Sequence, residues 1–165
     1  MRSLTKIYGL TTVSAALAVA PAASAQEATF SQTCQYFGGP PKPEPLGDRE
    51  GHSLSSVDVS CSVTSGPLAG GVGTGAVVSE FDGPNGVLLM GGGVIRKPGA
   101  TLVYELTEQK IALIITGGKV TGSTINGRGK NLLGTGGAAS LTGKTFSFTI
   151  KPAQMGQYII ETTYD

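Results

Sequence analysis

The chain has 165 residues, with 12 Lys and Arg against 11 Asp and Glu and a single His, so its formal charge is +1. This balance offers no basic patch for nucleic acid, and one His with two Cys cannot furnish a zinc or redox-metal ligand set. Its 26 glycines would burden helices with backbone entropy but suit a sheet protein rich in turns.

Residues 1–25 read as a secretion signal. Arg2 and Lys6 form a basic start, an apolar run extends from Ile7 to Ala20, and Ala23-Ser24-Ala25 gives the small-x-small cleavage pattern before Gln26. The run is shorter than the roughly 20 apolar residues a membrane span needs. Loss of Arg2 and Lys6 leaves ten basic and eleven acidic groups on 140 residues, a net charge of −1. The mature protein is therefore expected to be periplasmic or secreted, without a membrane anchor or a nucleic-acid partner. Its size suits one domain that buries roughly two-thirds of its unfolded surface.

Residues 26–47 read as an N-terminal arm. The run Gly38–Pro45 (GGPPKPEP) excludes helix and central strand, because proline fixes φ and lacks a donor. An extended or polyproline arm is expected, serving as a linker in preference to a lid or plug. Cys34 and Cys61 are the only cysteines. In an exported chain they are expected to pair and to tie the arm to the first core strand. Closing that loop would stabilise the fold by about 3.5 kcal/mol in the chain-entropy picture.

The core domain is assigned to residues 48–165. Its lead-in, Gly47–His52, gathers charges around the only histidine. His52 oriented by Asp48 or Glu50 would make a general base. A solvated loop with a hydrogen-bonded His52 is the favoured reading, since local charge runs are usually loops. Then Val57, Val59, Cys61 and Val63 alternate with Asp58, Ser60, Ser62 and Thr64, the pattern of a strand with one wet face. Strands follow over Ala76–Phe81, Val87–Met90, Thr101–Thr107 and Ile111–Ile115, the last expected to be covered on both faces. Gly91–Gly93 should interrupt, and Asp82–Gly86 and Lys97–Gly99 should turn. Phe146, Phe148 and Ile150 alternate with Thr145, Ser147 and Thr149, and Tyr158–Tyr164 forms a last strand.

About eight strands and no amphipathic helix predict an all-β, antiparallel, eight-stranded barrel, with a β-sandwich as the alternative. Two motifs conflict with that reading. Gly134–Ala139 fits a dinucleotide fingerprint, and Ala138–Thr145 nearly fits a P-loop. Both need a following helix, and an alternating strand follows instead.

Gly47–Ser53 with its alternating strand resembles the lead-in of small secreted bacterial β-barrels. Leu133-Gly-Thr-Gly136 followed by Gly143-Lys-Thr-Phe146 resembles the glycine motif of allene-oxide-cyclase-like and dirigent-like barrels. The resemblance spans roughly residues 48–165. It implies a lipocalin-shaped barrel that binds apolar molecules, or guides cyclisation or coupling without a cofactor. No catalytic residue carries over by position.

Three functions follow as expectations. In the first, a barrel holds a small apolar molecule against Tyr104, Phe146, Phe148 and Tyr158, residues that would otherwise simply fill the core. In the second, a cofactor-free isomerase or cyclase uses a polar inward group. Tyr104 is the best candidate, since Asp58 and Glu105 fall on the outer faces of their strands; Glu80 is a further candidate. In the third, a structural protein forms homo-oligomers through the apolar Ile111–Ile115. A hydrolase is disfavoured by the single histidine and the lack of a Gly-x-Ser-x-Gly elbow.

Overall fold

A computed structural model describes residues 29–39, 41–153 and 156–165. The expected secretion signal and its cleavage site lie outside the described residues. Nine strands form in chain order: β1 (Thr29–Tyr36), β2 (Glu44–Pro45), β3 (His52–Val63), β4 (Val72–Asp82), β5 (Asn85–Lys97), β6 (Ala100–Thr116), β7 (Lys119–Gly136), β8 (Thr145–Pro152) and β9 (Gln157–Tyr164). All pairings are antiparallel. β3 to β9 follow one another around the sheet, and β1 closes it by pairing with both β9 and β3. The result is a closed eight-stranded barrel with the short β2 added outside β3, so the sandwich alternative does not hold. Closure leaves no free edge in the main sheet.

Several expectations change. Residues 29–36, assigned to the arm, are barrel strand β1, with Phe30, Gln32 and Cys34 buried. Gln32 interrupts the apolar alternation and hid the strand. The disulfide Cys34–Cys61 therefore joins two barrel strands at a pair of register partners, with Cα atoms 4.0 Å apart. It does not tie down an arm.

Gly91–Gly93 do not interrupt β5, which runs through them. Likewise Thr101–Thr107 and Ile111–Ile115 are parts of one 17-residue strand, β6. It is joined to β7 by a Gly117-Gly118 turn in which both residues have positive φ, the backbone of a type I′ hairpin. This hairpin reaches beyond the barrel wall. Ile114 and Ile115 are consequently 52% and 53% exposed, not covered on both faces.

The two ends of the barrel differ. One is sealed by Leu68 and Leu141 packed on Ile95, Leu102, Phe30 and Val63. Leu68 comes from the β3–β4 loop, and Leu141 ends a three-residue 3₁₀ turn, Ala139–Leu141. That turn is all the helix following Gly134–Ala139, so neither nucleotide-binding motif has its required context. The other end is a mouth. The arm residues Glu44 and Pro45 pair with Leu54 and Ser53 beside it.

Candidate functional site

Inside the barrel is a cavity of about 370 Å³, open at the mouth. Inward alternation builds its wall strand by strand: Val57 and Val59 from β3, Val77 and Phe81 from β4, Leu102, Tyr104 and Leu106 from β6, Phe146 and Phe148 from β8, Tyr158 and Ile160 from β9. Among the described residues, no Asp, Glu, Lys, Arg or His lines it. An eight-stranded barrel has about the width to hold one small ligand, and a mainly apolar wall with few polar groups is typical of small-molecule sites.

Glycines make the room for the aromatic wall. Gly127 and Gly129 on β7 are the register partners of Phe148 and Phe146. A Cβ on Gly127 would come within 2.6 Å of the Phe148 ring, and one on Gly129 would run into the Phe146 ring. Phe146 in turn meets Tyr104 and Tyr164 edge to face, with ring centroids 6.2 Å away in each case. Such geometry suits the ring quadrupoles. At the mouth, Tyr36 and Tyr158 pack with centroids 4.8 Å apart.

All four residues singled out from sequence, Tyr104, Phe146, Phe148 and Tyr158, border this cavity. The polar members of its wall were missed. Gln32, Ser55, Ser79, Gln109, Asn131 and Thr162 are buried and border it. Ser55 and Ser79 are register partners, and Ser79 Oγ donates to Gln109 Oε1 at 3.4 Å. Asn131 Nδ2 donates to the Leu141 carbonyl at 3.1 Å. Continuing the inward register through each strand, whatever the residue type, would have found them: Gln32 follows Phe30, and Thr162 precedes Tyr164.

Burial raises the pKa of Tyr104 to about 12. It also raises Tyr158, to which neighbouring Tyr36 and Tyr104 add. These hydroxyls stay neutral near pH 7, so they can donate hydrogen bonds but not act as bases.

His52 lies outside the cavity. It begins β3 and is only 8% exposed. Asp48 Oδ1 is 2.5 Å from Nδ1, and Glu80 Oε1 is 2.7 Å from Nε2. Hydrogen bonds to Asp48 and then Glu80 raise its pKa, and the bond to His52 lowers that of Asp48. Arg49 bridges Asp48, Glu80 and Asp82 around it. An imidazole held at both nitrogens is a strut between the β2–β3 loop and β4, with no free nitrogen to act as a base. Glu50 does not orient it, and Glu80, once a catalytic candidate, is part of the strut. Asp58 and Glu105 face outward and are exposed. Pro41 and Pro43 of the arm border the mouth, so the arm folds back over the barrel instead of leading away as a linker.

Among the described residues, no group of three or more His, Cys, Asp and Glu could hold a metal ion, and no helix is long and apolar enough to cross a membrane. No known protein family, curated protein or solved structure matches this chain.

Proposed function

We propose that the protein is an exported carrier or receptor that binds a small, neutral, apolar molecule in its lumen. The observation that carries this reading is the cavity of about 370 Å³ whose wall, among the described residues, contains no charged side chain. Burying an unpaired ligand charge there would cost several kcal/mol, so anionic and cationic ligands are excluded by the wall itself. Export is supported by the Cys34–Cys61 bridge, since disulfides persist in oxidising compartments. The outer faces of β3 and β8 are polar, with Asp58, Ser62, Thr145, Ser147 and Thr149 exposed. In these two strands an apolar inner face behind a polar outer one reverses the pattern of membrane-spanning barrels.

The resemblance to allene-oxide-cyclase-like barrels rests on the glycine motif alone, and a cyclase reading would need Tyr104 to act as a hydrogen-bond donor, since no Asp, Glu or His among the described residues lines the lumen. Self-association is the second reading, favoured by the exposed Ile114, Ile115 and Val120 of the β6–β7 hairpin.

Native mass spectrometry of the exported protein, followed by organic extraction, tests the proposal. A co-purifying neutral apolar molecule is expected. A protein that yields only charged metabolites would overturn it, and a concentration-dependent oligomer with an empty lumen would favour the second reading.

A further inference from the structure

Gln32 is 6% exposed and faces into the barrel from β1. Its amide takes no part in the lumen's side-chain hydrogen bonds, which join Ser79 to Gln109 and Asn131 to Leu141. Among the described residues Tyr104 has no side-chain hydrogen bond either, and desolvation alone shifts its hydroxyl. Yet no sealed side-chain polar atom among the described residues lacks a partner. The unpaired atoms of Gln32 and Tyr104 therefore open onto the cavity that both residues line.

Glycines hold these two polar ends side by side. A Cβ on Gly73 would lie 3.1 Å from Gln32 Oε1. One on Gly75 would lie 3.0 Å from Tyr104 Oη, and one on Gly93 would lie 2.7 Å from it. Gly75 and Gly93 are register partners on β4 and β5. Gly73 and Gly75 are two residues apart on the same face of β4, a spacing of roughly 7 Å. The amide and the hydroxyl thus rest in one glycine-floored trough in the sealed half of the barrel, near Ile95.

We infer that this trough is a recognition subsite for an uncharged carbonyl carried at the inner end of an apolar ligand. The inference rests on the lumen-binding reading and narrows it to a ligand class: ketones, esters or amides with a hydrocarbon body. A carbonyl seated over the trough would accept a hydrogen bond from Tyr104 Oη, with the Gln32 amide, whose Oε1 borders Gly73, turning its Nε2 toward it as a second donor. A buried donor that finds no acceptor is costly, so a site built this way discriminates against the ligand that lacks one. A carboxylate is rejected, because no cation among the described residues lines the wall.

The test is competition for lumen-bound N-phenylnaphthylamine, a neutral fluorescent probe, by decane, decan-2-one and decanoate. Apolar transfer alone favours decane over the ketone. The subsite predicts the reverse, with the ketone displacing the probe about tenfold better. Gln32→Leu and Tyr104→Phe should each remove most of that advantage, read as the ratio of ketone to decane displacement within the same variant. Gly73→Ala, which fills the trough without altering either donor, should act in the same direction and serves if Gln32→Leu fails to fold. Equal displacement by ketone and decane, or a ketone advantage that survives all three substitutions, would overturn the subsite while the lumen reading stands. Failure of the probe to enter the wild-type lumen would overturn both.

Discussion

The ring tip of Phe146 occupies the space that a Cβ on Gly129, its register partner across β7 and β8, would take. Phe148 stands in the same relation to Gly127, and Phe81 to Gly86. Three aromatic side chains thus lie against glycines directly opposite them, and the glycines trade strand stability for lumen shape.

Gly129→Ala should therefore destabilise the barrel by about 1–3 kcal/mol through overpacking. This outweighs the roughly 0.5–1 kcal/mol that alanine gains over glycine in backbone entropy, because backbone as well as ring blocks the new methyl. Urea unfolding should show a lower midpoint with an unchanged slope.

These pairings explain what the sequence could reveal. The alternation of Val57–Val63 and of Thr145–Ile150 was legible, because within those two stretches every inward residue except Cys61 is a plain hydrocarbon and every outward one is polar. It turned Phe146 and Phe148 toward the interior, where both are buried. The same logic failed at β1, where inward Gln32 breaks the apolar series. It failed again at Ile111–Ile115, where apolarity on both faces suggested burial but belongs to a hairpin projecting past the wall. Glycine was read as punctuation. In Gly91–Gly93 it is a strand interior that yields room to Tyr104, and nothing local distinguishes the two uses. His52 could not be placed either, since its partner Glu80 lies 28 residues away.

The Cys34–Cys61 bridge closes a 27-residue separation and spans the β1–β3 seam that completes the barrel. Replacing both cysteines with alanine should cost about 3.5 kcal/mol from loop entropy. The change should appear in the urea midpoint, with the far-ultraviolet spectrum of the folded state preserved. A bridge-free protein of unchanged stability would show that the seam is held by its strand pairing alone.

His52 carries a pH signature. Its folded-state pKa is raised above the unfolded value by Asp48 and Glu80, so proton binding favours the folded barrel. That contribution is fully present below the unfolded value of about 6.5 and is lost as pH rises through the higher folded value. Comparing the wild type with His52→Asn, the stability gap should be widest near pH 5.5 and should narrow under alkaline conditions. A gap that widens with pH would mean that the neutral imidazole is the favoured partner.

The central claim is that the lumen is an open site for neutral apolar molecules, and titration with N-phenylnaphthylamine tests it most directly. Leu106→Trp, which places a larger side chain on the cavity wall, supplies the control, with circular dichroism to verify its fold and Val77→Phe as a second occluding variant. Saturable binding of one probe per chain is predicted, on the order of micromolar, lost in the occluded variants and much weaker for the anionic anilinonaphthalene sulfonate. Binding that persists at full strength in folded, occluded protein, or no saturable binding to the wild type, would contradict the account.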